Sequence, residues 1–272
     1  LGAALTTYHL YAKKPQVKKD VKKDMMKGSY LGPCYSNDTI KERLTKIGAK
    51  FIEVEDKKLF EVTANELAKG SSVGWFQGSM EFGPRSLGNR SILADPRSSK
   101  TQKMLNLQVK YRESFRPFAP SVLHERVQDW FDIDTPSPYM LLVAEVNKHR
   151  QRKMSEREQK LFGIDKLNVV RSEIPAVTHV DYSARIQTVH KESNPRYHRL
   201  ISAFYKLTDC PILVNTSFNI RGEPIVCSPE DAFRCFIGTD IKVLVIGNCF
   251  LKKEDQKKTV SKENYINSFE LD

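Results

Sequence analysis

GWFQGSMEFGPRSLGNRSILADPR, residues 74–97, and VKYRESFRPFAPSVL, residues 109–123, frame the part of this sequence around which the rest is organised. The apolar run Val73 to Phe76 predicts a buried strand. It hands over to a loop in which Gly78, Gly83, Pro84 and Gly88 alternate with Arg85 and Arg90, and Arg97 follows. Ser98 or Ser99 starts a helix that runs to about Val109, and a second basic cluster, Lys110, Arg112 and Arg116, comes next. A strand that opens into a Gly/Arg loop presents backbone N–H groups and guanidinium forks to an anion. The stretch from Gly74 to Pro120 is therefore expected to build a polyphosphate site that the remaining chain supports.

Outward from this stretch, helices and strands interleave. Asn37 or Asp38 is placed to cap the helix DTIKERLTKIG, which stops at Gly48. FIEVE reads as a short strand, and Lys58 to Lys69 as a helix ended by Gly70. Glu125 to Phe131 reads as a short helix and YMLLVAEV as a strongly buried strand. THVDYSARIQTVH reads as a strand pair or a bent strand, and Pro195 to Leu207 as a helix. PILVNTSFN is a strand running into a polar loop. SPEDAFRCFIG is a helix with Ser228 as N-cap, Pro229 at the first position and Asp231 three residues on. IKVLVIGNCFL reads as one last buried strand. The pattern predicts an α/β (α+β) fold, a twisted, partly parallel sheet flanked by helices, with ligands gathering beyond the strand ends.

Composition narrows the class. The chain has 272 residues, 40% hydrophobic and 28% charged, enough for one large domain with appendages. No run approaches the roughly 18 to 20 apolar residues of a membrane span. The start, LGAALTTYHLYAKKPQ, lacks the basic region of a signal peptide and reads as the end of a longer helix. Cys34, Cys210, Cys227, Cys235 and Cys249 form no CxxC pair, which suits reduced thiols in a cytoplasmic protein. The histidines show no metal-ligand spacing, so no metal site is expected from this chain alone.

The net charge is +11. Residues 12–27, 73–120 and 147–171 each carry a net +5. The first and last read as a lysine-rich tether and a basic insertion, partly helical and mobile. The tail from Lys252 is dense in both charges and is expected to be poorly ordered. The middle segment mixes charge with Gly, Pro and Phe, and is the informative one.

Its arginines have two readings. They line a ligand, or they brace the loop through pairs with Glu81 and Asp95. Lys110, Arg112 and Arg116, interleaved with Phe115 and Phe118, could serve single-stranded nucleic acid. A loop this short, stiffened by Pro117 and Pro120, suits a small polyanion better. Arg185 sits in an alternating apolar segment, where a charge is costly without a partner. It either points to solvent or meets a ligand, and Asp181 and Gln187 share that ambiguity. Asn215, Thr216, Ser217 and Asn219 follow a buried strand and suit phosphate or ribose contacts, or a self-bonded turn. No serine sits in a G-x-S-x-G elbow, so nucleophilic serine chemistry is not indicated.

MEFGPRSLGNRSILADPR, KYRESFRPFAPSV, SPYMLLVA, IPAVTHVDYSARIQTV and LVNTSFNIRGEPIVCSPEDA together resemble the C-terminal domain of the O-carbamoyltransferases of the NodU/CmcH/TobZ type, over about Tyr30 to Leu251. The resemblance implies a YrdC-like domain over 28–251, a charged tail over 252–272, and over 1–27 the last helix of an actin-like N-terminal domain with a basic linker. It implies that carbamoyl phosphate and ATP, with Mg²⁺ accompanying the ATP, give carbamoyl adenylate, pyrophosphate and phosphate. The N-terminal domain, in cis or as a separate chain, would then pass the carbamoyl group to a hydroxyl at a site holding Fe²⁺. By motif, Lys110, Arg116 and Arg85 fall on catalytic positions, and Arg185, Asn215, Ser217, Thr216 and Arg112 on nucleotide-binding ones. Arg90 and Arg97 are then read as bracing the loop. Ser86 stands where the family usually has Ala, and the basic insertion before Ile174 is expanded. A threonylcarbamoyl-adenylate synthase and a non-enzymatic RNA-binding module are the alternative readings. A membrane partner is not expected, nor is nucleic acid on the leading reading, and a homodimer is left open.

Overall fold

The computed structural model describes residues 2–15, 24, 26–257 and 262–269. Much of the expected tether, residues 16–23 and 25, lies outside them. The described strands are β1 (Ile52–Glu53), β2 (Val73–Phe76), β3 (Arg90–Ala94), β4 (Ala119–Leu123), β5 (Leu142–Glu145), β6 (Ser183–Val189), β7 (Ile212–Ser217), β8 (Val243–Ile246) and β9 (Cys249–Lys252). They form one sheet in the order β1-β9-β8-β2-β3-β7-β4-β6-β5. β2 pairs with β8 and β4 with β6 in parallel, and the other neighbours are antiparallel. The sheet is thus mixed, as the interleaved sequence predicts.

The described helices are α1 (Gly2–Thr6), α2 (Asn37–Lys46), α3 (Asp56–Ala68), α4 (Ser99–Gln108), α5 (Glu156–Gln159), α6 (Gly163–Leu167), α7 (Pro195–Thr208), α8 (Pro229–Gly238) and α9 (Lys262–Ile266). Three of them flank the sheet: α3 packs on α7 and β2, α7 on β4 and β7, and α8 on β2 and β8, with α2 and α9 against α8. Ser36, rather than Asn37 or Asp38, caps α2 by accepting from Thr39 N. The α8 capping box of Ser228 and Asp231 forms as the sequence dictates. Buried residues on β2, β3, β4 and β8 are continuous, because each strand is covered on both faces.

Four further sequence expectations are corrected. YMLLVAEV is not a buried strand. β5 is the last strand of the sheet, with Leu141, Leu142 and Val143 at 72%, 41% and 61% exposure. IKVLVIGNCFL is not one strand but a hairpin, turned at Gly247 (φ 54°) and Asn248 so that β8 pairs with β9. The segment after Lys252 does not behave as a solvated tail throughout, because Tyr265 in α9 is buried against α8. Glu125 to Phe131, expected as a helix, is a 3₁₀ segment over His124–Asp129. No described helix is long and apolar enough to cross a membrane.

Candidate functional site

Strand direction brings the singled-out segments to one end of the sheet. Phe76 pairs with Arg90, Ser91 with Ser217, Asn215 with Ala119, and Ser121 with Gln187. The loop after β2, the basic segment before β4, the start of β6 and the turn after β7 therefore share that end.

The Gly/Arg loop is built from within. Glu81 is buried, and its Oε1 accepts from Leu87 N at 2.6 Å and Asn89 N at 2.8 Å. Burial pushes its carboxyl pKa up, and those N–H donors pull it back. Arg90 is fully buried. Its guanidinium donates to the carbonyls of Gln77 at 2.7 Å, Asn89 at 3.0 Å and Pro33 at 3.0 Å, and lies 3.5 Å above the Phe76 ring. Arg97 grips Asp95, with Nη2 to Oδ2 at 2.6 Å. Both arginines brace the loop. Gly88 takes φ 105° beside the Tyr197 ring, which leaves no room for a Cβ. Arg85, between Gly83 and Gly88, is left exposed at the loop tip.

Beneath the loop lies a buried polar cluster. Asn215 Nδ2 donates to Ser86 O at 3.0 Å and to Gln187 Oε1 at 2.8 Å. Gln187 Nε2 donates to Leu87 O at 2.8 Å, and Ser121 Oγ donates to Gln187 Oε1 at 2.5 Å. Asn215 Oδ1, Ser86 Oγ and Arg185 Nε are buried without a hydrogen-bond partner. Unsatisfied polar atoms are costly in an interior. Arg185, half-buried on β6, is close enough to Arg85 for the two charges to repel. Burial first, and then Arg85, lower its pKa.

The second basic cluster lies beside the end of β7. Lys110 is buried, and its Nζ donates to Ser217 O at 2.5 Å, Ser217 Oγ at 3.1 Å, and Asn219 O and Oδ1, each at 2.8 Å. Burial pushes the ammonium down to about 7 and the Arg112 charge adds to the shift, while Cys235 and Glu223 oppose it. Arg112 Nε donates to Asn106 Oδ1 at 2.7 Å with its guanidinium over Phe118, and burial lowers it to about 10. Arg116 pairs with Glu113 at 2.9 Å and is half-exposed. Gln102 and Asn106 of α4 hold the backbone of this loop through the carbonyl of Arg116, at 3.1 and 2.8 Å.

Of the sequence-predicted residues, Arg85 and Arg185 meet at one side, and Lys110, Arg112 and Ser217 gather at the other, with Arg116 on the same loop. Asn215 is a strand residue beneath the loop, not part of an exposed turn. Strand alternation puts Thr216 on the face opposite Asn215 and Ser217, away from that cluster. Ser121, Glu223 and Tyr265 were not singled out from sequence. Asn219 and Gln187 are visible in the sequence as polar residues, but their partners Lys110, Ser121, Leu87 and Asn215 are remote in sequence. No group of three His, Cys, Asp or Glu that could hold a metal ion occurs among the described residues.

The family model described as carbamoyltransferase C-terminus matches residues 64–253. The chain belongs to this family. It is 52% identical over 274 residues to uncharacterized protein sll1178 of Synechocystis, covering 100% of this chain and 44% of that protein. It is 37% identical over 190 residues to the 3'-hydroxymethylcephem-O-carbamoyltransferase of Streptomyces clavuligerus, covering 70% of this chain and 32% of that one. The chain thus spans less than half the length of these relatives. Among solved structures it is similar to P. abyssi Sua5 complexed with L-threonine, at 13% identity and a TM-score of 0.45, covering 72% of this chain and 48% of that one.

Proposed function

We propose that this carbamoyltransferase-family chain forms carbamoyl adenylate from carbamoyl phosphate and ATP, for O-carbamoyl transfer completed with an N-terminal domain. The observation that carries the reading is that the half-buried Arg185 is near enough to Arg85 for their charges to repel, at the sheet end that also holds the unpartnered Asn215 Oδ1 and Ser86 Oγ and the cluster of Lys110, Arg112 and Arg116. Two phosphorylated anions in one cleft need permanent cations, and guanidinium forks supply both charge and orientation. Two neighbouring cations repel, and an anionic ligand would offset that cost.

The chemistry needs no nucleophilic side chain. Water displaces phosphate from carbamoyl phosphate to give carbamate. A carbamate oxygen attacks the α-phosphorus of ATP, the bond to the β-phosphate oxygen breaks, and pyrophosphate leaves. Arg85 and Arg185 would orient the reacting anions and stabilise the charge on the five-coordinate phosphorus, with Arg112 and Arg116 on the second side. Lys110 and Ser217 hold the turn that closes the cleft at the nucleotide. The described residues do not fit a protein-held metal; Mg²⁺ belongs to the Mg–ATP substrate, and Fe²⁺ to the N-terminal domain.

The test is ATP–pyrophosphate exchange. Exchange that depends on carbamoyl phosphate supports the reading. Dependence on threonine and bicarbonate assigns a threonylcarbamoyl-adenylate synthase instead. No exchange with either, together with salt-sensitive RNA binding, assigns an RNA-binding module.

A further inference from the structure

Tyr265 lies beyond the residues matched by the family model, in a stretch whose composition reads as a charged tail. It is nonetheless only 2% exposed. Its ring sits on Gly238 at the end of α8, where a Cβ would strike it, and meets Phe269 edge-on at 5.5 Å. Its hydroxyl donates to Glu223 Oε1 at 2.5 Å. Glu223 Oε2 accepts from Ile220 N at 2.9 Å, and the Glu223 carbonyl accepts from Asn219 Nδ2 at 2.6 Å. Asn219 in turn offers Oδ1 and its carbonyl to Lys110 Nζ, each at 2.8 Å. An unbroken hydrogen-bonded path runs from the C-terminal helix to the buried lysine.

We propose that Tyr265, acting through Glu223, is a positioning residue that fixes the Asn219 turn against Lys110. The seat is built for it from both sides, since α8 ends in the one residue that admits the ring. Burial raises the Tyr265 phenol far above its ordinary range, with Cys235 and Glu223 adding to the shift, so it stays a donor at any working pH. Burial also raises the Glu223 carboxyl, while the Tyr265, Ile220 and Cys235 bonds and the Arg234 charge lower it. Lys110 is faced by Arg112 from its own loop, Cys235 from α8 and Glu223 from the turn. The functional consequence rests on the carbamoyl-adenylate reading; the geometric one does not.

Tyr265→Phe keeps the ring and removes only the donor. The Lys110 ammonium is followed by nitrogen NMR in the whole chain labelled at lysine, its signal assigned by its loss in Lys110→Arg. With the turn slackened, water reaches Nζ and the proton affinity of Lys110 is expected to rise at least tenfold, while carbamoyl-phosphate-dependent exchange falls at least tenfold. Gly238→Ala, which displaces the ring from the other side, is expected to do the same, and Glu223→Gln serves if either variant does not fold. An unchanged Lys110 titration in the folded variants overturns the proposal, even where exchange falls. A shifted titration in a chain whose wild type shows no exchange upholds the positioning and counts against the carbamoyl-adenylate reading alone.

Discussion

Asn215 Nδ2 lies 2.8 Å from Gln187 Oε1 although β4 runs between their strands. The two amides reach each other over Ser121, whose hydroxyl bonds the same oxygen, and Gln187 extends the contact to Leu87 O of the loop above. Gln187→Leu removes three bonds at once and leaves buried partners behind. It is expected to destabilise the fold by about 1–3 kcal/mol, read from urea unfolding. The Gly/Arg loop should gain protease sensitivity in the same variant.

Arg85→Ala and Arg185→Ala test the cation pair directly. Each is expected to slow carbamoyl-phosphate-dependent exchange by about 10²–10³-fold. Because Arg85 is exposed, its removal should leave the unfolding free energy within about 0.5 kcal/mol of wild type. Full exchange activity in both variants would exclude the pair from the site.

Lys110 makes stability depend on pH with a definite sign. Its folded value is held near about 7, chiefly by burial, whereas an unfolded lysine titrates near about 10.4. Between the two, the unfolded chain binds a proton that the native chain does not, so this contribution rises with pH. It is complete above the unfolded value and is lost as pH falls through the folded one. The wild-type unfolding free energy minus that of Lys110→Met should therefore increase from pH 7 to 9.5, by at most about 1.4 kcal/mol per pH unit. Taking the difference removes the opposite trend from the buried thiols of Cys210 and Cys235.

The β5 edge carries Leu141, Leu142 and Val143 in the open. The outer edge is bridged at Glu145 and Val146 by Phe131 and Asp132 and open towards Leu141, and an open apolar edge is a template for strand addition. Val143→Lys is expected to lower self-association of the isolated chain in analytical ultracentrifugation, with a stability change within about 0.5 kcal/mol. An equal degree of association in both chains would rule this edge out as its cause.

Three segments have a local composition that does not match their place in the fold. YMLLVAEV carries the apolar run of a buried strand, but burial depends on how many neighbours the sheet supplies, and among the described residues β5 has β6 on one side and a single bridge, Phe131 to Val146, at the other. IKVLVIGNCFL hides a hairpin because Gly247 and Asn248 interrupt an otherwise apolar run too briefly to stand out. Tyr265 was lost among the charges around it.

Local chemistry settled what local residues can settle. The Ser228–Asp231 box starts α8, Val73 to Phe76 makes a buried strand, and the ordered motifs from Glu81 to Ala232 fix the family. The sequence also shows that the cations cluster in segments that the sheet brings to one end. Which of them braces and which faces outward was decided only by the tertiary structure. Arg90 is spent on the carbonyl of Pro33, 57 residues away, and Lys110 on Asn219, 109 residues away, while Arg85 of the loop after β2 and Arg185 of β6 become neighbours. The charge of an arginine is written in its own residue. Its role depends on the dielectric and the acceptors around it, and these are assembled from segments that become neighbours only when the sheet closes in its final strand order.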